Sequence, residues 1–414
     1  MPNPQPRFPV FLLDICPTRR RRKRDMSEST VCSRIEKRRV AVVYHFFAHY
    51  RAAIMQTLLA SEAIDYFLIS DLHEPSNEIE AWEPPKDRWR WSPCFRLGAN
   101  FIWQKGLLRL ATQPETDAII FLGNANFLST WCSAGLARLL GKRVLFWTHG
   151  WVRDERGLKR LVRNLFYRLA HGLLLYGNRA KAIGIRNGFP KENLYVIYNS
   201  LDYRHQSELR EAIERSRLSS IRNQFFKNAA CPVLICTGRL NKLKRIDLLL
   251  DAMFLLLDEG LHTSLLLVGE GPEEAALRAR ALERGLSVHF FGACYEEERL
   301  AELIMSANLT VSPGQVGLTA MHSLAYGVPV VTHDDVHNQM PESEAIVPGK
   351  TGDLFRHGDV VDLAEVLKRW IHRPWPDATA RQECIAIMER FYNPQYQANI
   401  IARAVAGCPA EGQT

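Results

Sequence analysis

The stretch SPGQVGLTAMHSLAYGVPVV, residues 312–331, sets Gly314, Gly317 and Gly327 around a short helical pattern and ends on an apolar run. Preceded by the β-like NLTVSPG (308–314), it describes a strand, a tight turn, a helix and another strand. Glycine in such a turn removes a side chain where another group must come close. Two similar turns come before it. In CTGRLNKLKRIDLLLDA (236–252) a strand ends at Gly238, and Arg239 and Lys244 stand around the start of an apolar helix. In VGEGPEEAAL (268–277) Gly269, Glu270 and Gly271 separate a strand from a helix. Cations beside a helix N-terminus make an anion site, because unpaired N–H groups and the macrodipole act in the same direction.

Working outward, the alternation of short apolar runs and helical patterns covers most of the chain. A first series comprises RRVAVVYHFF (38–47) with the helix RAAIMQTLLAS (51–61), then AIDYFLIS, DAIIFLG followed by STWCSAGLARLLG, RVLFWTHG, GLLLYG and YVIYNSLD. A polar helix, SELREAIERSRLSS (207–220), precedes a second series: CPVLICTGRL, SLLLVGEG, VHFFG, NLTVSPG and VPVVTH. Strands of this kind, without polar alternation, belong to parallel sheets covered on both faces. The expected fold is α/β, two doubly wound Rossmann-like domains facing across a cleft, with ligands outside the carboxyl ends of the strands. The expected limits are a basic tail over 1–35, a first domain over 36–205, a second over 206–390, and a C-terminal helix and tail over 391–414 returning to the first domain. EPSNEIEAWEPPKDRWRWSP (74–93) breaks the rhythm and reads as a loop or insertion.

Composition narrows the function. The 414 residues carry 53 Lys plus Arg against 45 Asp plus Glu, a formal +8 that suits anionic partners. Six of those charges fall in TRRRRKR at 18–24. The remainder is only mildly basic, which takes weight from a nucleic-acid-binding reading. Nine cysteines lack CxxC pairing, which disfavours a zinc site or disulfide framework and suits a reducing cytoplasm. Residues 1–25 carry their basic cluster after a short apolar stretch, the reverse of a secretory leader, and read as a tail or as an extension upstream of a start at Met26. No window reaches the ~20 apolar residues of a spanning helix.

The ordered set GRLNKLKRIDLLLDA, LLLVGEGPEEAAL, VHFFGAC, ANLTVSPGQVGLTAMHSLAYGVPVV and EAIVPGKTGDLFRHGD resembles the retaining glycosyltransferases of family 4, of GT-B type, over essentially the whole second domain. FWTHG, RLAHGLLLYGNRAKA and YVIYNSLD extend the resemblance more loosely into the first. It implies that Arg239 and Lys244 bind the donor diphosphate and stabilise the charge that develops on it as the glycosidic bond breaks. It implies that the backbone from Phe291 through Gly292 to Ala293 lies along the nucleotide base, and that the turn of Gly317, Leu318 and Thr319 brings helix N–H groups onto the phosphates. Gly238, Gly269 and Glu270 join this donor set, and the visitor expected at the glycine turns is a nucleotide diphosphate sugar. His149, after the strand VLFWT, matches a position that touches the transferred sugar. Glu344 falls near the cleft, with a helix cap as its equal alternative.

The family usually carries a glutamate on each side of a seven-residue spacer in the third turn. Here those positions are Gly314 and His322. A neutral imidazole replaces one acceptor for the ribose and not two. Recognition of sugar hydroxyls is then left to backbone or to groups such as Gln315. No pair of carboxylates across the scissile bond, as retaining glycosidases use, stands out. The resemblance implies same-face attack with the leaving phosphate taking the proton, no metal and no cofactor beyond the donor. His333, Asp334 and Asp335 do not make a chelate, since consecutive extended residues face opposite ways.

In ERGLKRLVRNLFYRLA (155–170), Leu158, Leu161, Val162, Leu165 and Leu169 share a helical face ringed by Arg156, Lys159, Arg160 and Arg163. A domain helix that buries those leucines is the preferred reading. A helix lying on an anionic membrane is the alternative. The expected protein is a cytoplasmic glycosyltransferase, with peripheral membrane contact left open, that uses a nucleotide sugar and a glycan or lipid-linked acceptor. The rival is a nucleotide-sugar-binding protein of the same fold that has lost catalysis.

Overall fold

Two runs of parallel strands, three to seven residues long, dominate the computed structural model, which describes residues 37–72, 79–153, 155–228 and 230–410. The basic run at 18–24, the tail over 1–35 and the start at Met26 lie outside the described residues. From Arg38 onward the chain forms one densely packed unit.

The first half contains β1 (Arg38–Val43), β2 (Ile64–Ser70), β3 (Trp89–Trp91), β4 (Cys94–Leu97), β5 (Phe101–Gln104), β6 (Ala118–Leu122), β7 (Arg143–Thr148), β8 (Gly172–Leu175) and β9 (Leu194–Val196). A parallel sheet runs in the order β3-β2-β1-β6-β7-β8-β9, and β4 and β5 pair as a separate antiparallel hairpin. The helices are α1 (Ala52–Leu59), α2 (Leu107–Thr112), α3 (Leu128–Leu139), α4 (Gly157–Tyr167) and α5 (Asn178–Arg186).

The second half contains β10 (Val233–Thr237), β11 (Ser264–Val268), β12 (Ser287–Gly292), β13 (Leu309–Ser312), β14 (Val330–His333) and β15 (Gly352–Phe355), in the parallel order β12-β11-β10-β13-β14-β15. Its helices are α6 (Tyr203–Ala212), α7 (Arg215–Phe225), α8 (Ile246–Asp258), α9 (Glu274–Glu283), α10 (Glu297–Met305), α11 (Leu318–Ala325), α12 (Val360–Ile371) and α13 (Ala378–Phe391). The expected pair of doubly wound parallel sheets is what the chain builds.

Burial on both faces explains the unbroken apolar runs. Val40 and Val42 of β1 point into a core with Leu58 of α1, while Ala41 and Val43 point into another with Leu110 and Ala134. Successive side chains of a strand face opposite sides, so covering both sides leaves no polar position. A last helix, α14 (Pro394–Ala406), leaves the second half and packs on α1, burying Ile401, Ala404 and Val405 in the first-half core. There Arg38 donates to the Val405 carbonyl at 2.9 Å. The chain thus passes between the halves at 197–202 and again at 392–393. The two passages touch: Tyr198 packs its ring 4.6 Å from that of Tyr392, and Gln397 donates to the Tyr198 carbonyl at 2.6 Å.

Two expectations change. The segment over 74–93 is more than a loop, because Trp89–Trp91 pairs parallel with Leu68–Ser70 as an edge strand. An edge strand needs only one partner, and Trp89 ties in by donating its indole N–H to the Ser70 hydroxyl at 3.0 Å. The leucines of α4 are not buried either. Leu158, Leu161 and Leu165 are 74%, 64% and 57% exposed, because the helix rests on the sheet through Phe166 and Tyr167.

Candidate functional site

In each half, connections leave the central strands in opposite directions, β1 from β6 and β10 from β13, which opens a crevice at the carboxyl ends of those strands. In the second half the crevice is walled by backbone. After β10 and Gly238, Asn241 caps a short 3-10 turn, Lys242–Lys244, by accepting from the Leu243 N–H at 3.1 Å. Arg245 takes a left-handed conformation, φ 49°, to start α8. This turn aims Lys244 across the crevice, where its ammonium donates to the Gln315 carbonyl at 2.8 Å. Arg239 is exposed and has no side-chain partner among the described residues.

Opposite Lys244, the loop after β13 is fastened from below. Gln339, which the sequence reading missed, accepts from the Val316 N–H at 3.1 Å and donates to the Thr332 hydroxyl at 2.7 Å. That hydroxyl in turn donates to the Ser312 carbonyl at 2.7 Å. The loop then enters α11 at Gly317, and the N–H groups of Gly317, Leu318 and Thr319 meet no acceptor among the described residues. The Thr319 hydroxyl donates back to the Thr237 carbonyl at 3.3 Å. Gly238, Lys244, Gly314, Gln315 and Thr319 are therefore one cluster.

The glycines of this cluster serve different ends. The sequence expectation gave their space to a nucleotide diphosphate sugar, yet at Gly314 the close neighbour is the chain itself. A Cβ there would lie 1.9 Å from the Leu243 carbonyl oxygen, and the Gly314 N–H donates to the Lys244 carbonyl at 3.1 Å. Added Cβ atoms at Gly269 and Gly271 would likewise meet the Gly238 and Leu240 carbonyl oxygens at 2.0 and 2.3 Å. Gly317 is the exception. It sits at φ 50°, and a Cβ there would meet nothing within 4 Å, so the approach to the helix N-terminus is open.

A second group joins the turns after β11 and β12. The Gly269 N–H donates to the Gly292 carbonyl at 2.7 Å, and Glu270 accepts from the Ala293 N–H at 3.3 Å. One of the backbone groups expected against a base therefore already has an acceptor. Phe291 stands edge-on to Phe225, ring centroids 5.9 Å apart.

His322 points toward α6 and α10. Its Nδ1 lies 3.2 Å from the Gln206 amide nitrogen and 3.3 Å from Glu297. Burial alone would raise the Glu297 carboxyl, but His322, Tyr326 and Gln206 overcome it and hold the group at about 2. A carboxylate thus stands beside His322, supplied by another helix. Sequence spacing carried no sign of it, because Glu297 and His322 are brought together only by the fold.

Between the halves, His149 and Glu344 line a small cavity of about 110 Å³. Glu344 caps a helix. Its Oε2 and Oε1 accept from the N–H groups of Asn178 and Arg179 at 2.7 and 2.9 Å, where the open N-terminus of α5 favours a carboxylate. His149 follows β7, and its ring lies 4.7 Å from that of Tyr176, tilted 44° to it. It is exposed, and it lines both this cavity and a larger one in the first half. Enclosure by protein, then the nearby Arg51 charge, lower its pKa to about 4, so its imidazole is neutral at pH 7.

Residues 219–387 match the family Glycosyl transferases group 1. The chain is 37% identical over 102 residues to the GDP-mannose-dependent alpha-(1-6)-phosphatidylinositol dimannoside mannosyltransferase of Mycobacterium tuberculosis, covering 24% of this chain and 26% of that protein. It is 27% identical over 183 residues to the sulfoquinovosyl transferase SQD2 of Arabidopsis thaliana, covering 41% and 34%. The chain thus spans only about a quarter to a third of the length of these curated relatives. Among solved structures, Anabaena Alr3699/HepE in complex with UDP superposes with a TM-score of 0.65 at 18% identity, over 89% of this chain and 99% of that one. That likeness establishes the fold. Residues 219–387 are thus similar to the glycosyl transferases group 1, and the two parallel sheets of the chain, the second of them within that segment, have the GT-B architecture.

Proposed function

We propose that this chain transfers a sugar from a nucleotide diphosphate sugar to a glycan or lipid-linked acceptor, with retention of configuration. The observation that carries the reading is the convergence of Lys244 with the three N–H groups that open α11 and have no acceptor among the described residues. Arg239 adds a second cation after the same strand. Positive groups fixed in place before reaction stabilise charge as it develops on a leaving diphosphate, without reorganisation. The bond from the anomeric carbon to the diphosphate oxygen breaks, and the acceptor hydroxyl bonds to that carbon from the same face. Its proton passes to the departing phosphate oxygen. Neutral His149 offers one donor and one acceptor to sugar hydroxyls at the mouth of the cleft.

The test is a thermal-shift series with UDP, GDP and ADP, followed by transfer assays with the matching nucleotide sugars and assignment of the product anomer by NMR. A ligand that binds only the native state raises its stability by RT ln(1 + [L]/Kd). An unchanged melting temperature with every nucleoside diphosphate would overturn the reading. Chelation of divalent ions should leave transfer intact. The rival, a nucleotide-sugar binder without turnover, draws support from Gly314, where no carboxylate fits while the Leu243 carbonyl stays in place. Binding without transfer or donor hydrolysis would favour it.

Peripheral contact with an anionic membrane belongs to the same proposal. It is supported by the exposed Leu158, Leu161 and Leu165 of α4 beside Arg156, Lys159 and Arg160. Sedimentation with anionic but not neutral vesicles is the expected result. Among the described residues, no helix is long and apolar enough to cross a membrane.

A further inference from the structure

The crevice of the first half opens into a cavity of about 440 Å³ at the ends of β1, β6, β7 and β8. Arg51, where the chain enters α1, forms part of its wall. The guanidinium donates to the Tyr44 hydroxyl at 3.2 Å and also to the Tyr176 hydroxyl. It lies 4.8, 5.5 and 5.6 Å from the ring centroids of Tyr44, Trp147 and Tyr176. Aromatic faces and phenol oxygens hold a cation in place without cancelling its charge. Among the described residues, no carboxylate pairs with Arg51, and none lines the cavity.

Two more cations, Lys159 and Arg163, reach the same cavity, and both pair with a single acid, Glu155. The wall therefore carries an excess of positive charge. Trp147, also in the wall, has a buried indole N–H with no acceptor among the described residues. A partly enclosed guanidinium without a counter-charge is costly unless an anion completes it.

We infer that this cavity binds an oxyanion, a phosphoryl or carboxyl group carried by the acceptor, with Arg51 as its principal ligand. The assignment to the acceptor rests on the proposed function, in which the donor occupies the crevice of the second half. Only the donor's own diphosphate offers the same chemistry. The two sources differ in whether a nucleoside diphosphate competes. An Arg fork takes two oxygens of a phosphate or carboxylate at once, which an ammonium cannot do.

The test is calorimetric titration of the full chain with inorganic phosphate, alone and with UDP at saturation, for the wild type, Arg51→Met and Arg51→Lys. The expected result is phosphate binding that persists under saturating UDP, at least about tenfold weaker in Arg51→Met and intermediate in Arg51→Lys, with UDP affinity unchanged. Phosphate binding abolished by UDP, or UDP affinity lost in Arg51→Met, would assign the cation to the donor and overturn the inference. Equal phosphate affinity in wild type and folded Arg51→Met would overturn it as well. Should Arg51→Met fail to fold, Arg51→Lys decides: unchanged phosphate affinity there removes the role of the fork. UDP that fails to bind while phosphate binding still depends on Arg51 would count against the proposed function and leave the oxyanion site standing.

Discussion

In the second half, backbone faces the crevice: a lysine turn, a loop held by Gln339, and the bare start of α11. In the first half, side chains do so, with Arg51 set among Tyr44, Trp147 and Tyr176. Both crevices stand at the same place in their sheets, and both put a cation where the chain enters the helix after the central strand. What differs is how that cation is held. Lys244 is steered by main-chain packing that permits only glycine at Gly314, whereas Arg51 is steered by rings. A backbone wall presents fixed donors suited to a group common to all donors. A wall of side chains changes with every substitution and suits the partner that varies.

The sharpest way to break this contrast is Lys244→Ala. If the ammonium serves the developing charge, kcat for transfer falls by about 100-fold or more while the protein stays folded. Near-normal turnover would show that the backbone wall serves no diphosphate. Gly314→Ala tests the packing itself. Its Cβ must displace the Leu243 carbonyl, so stability should drop by about 1–3 kcal/mol in denaturant unfolding. An unchanged midpoint would mean the lysine turn yields freely.

Smaller effects sharpen the picture where helices meet. Glu344→Ala removes the cap of α5 and should cost about 0.5–2 kcal/mol, with faster amide exchange at Asn178 and Arg179. Exchange that does not change would show that the cap is idle. Glu297→Gln should cost about 1 kcal/mol near neutral pH. The folded Glu297 carboxyl, at about 2, lies below its unfolded value, so its contribution is present above the ordinary carboxylate range and is lost as pH falls toward 2. The gap between wild type and variant should therefore close in acid. A gap independent of pH would assign the effect to packing.

The sheets were legible because their strands are local apolar runs buried on both faces; DAIIFLG contains β6 and RVLFWTHG contains β7. Trp89–Trp91 was not, since an edge strand with an arginine at its centre lacks that signature. Amphipathicity marked the face of α4 but could not say whether anything covers it. In the candidate site, cations beside a helix start drew attention to Arg239 and Lys244. The same signal marks Arg51 at the head of RAAIMQTLLAS, where no glycine turn stands beside it to single it out. Gln339 and Glu297 gave no local sign, because each acts on a loop or helix more than twenty residues away.

The paired passages at Tyr198 and Tyr392 carry a mechanical consequence. Two strands of chain clasped side by side act as a doubled pivot. Any swing of one half against the other that preserves the clasp must turn about a line through it, and twisting across that line would shear the Gln397 hydrogen bonds to Tyr198 and Ser200. Glu344, which reaches from the second half to cap α5, then acts as the catch on the moving edge, and its release is part of the work of opening that edge.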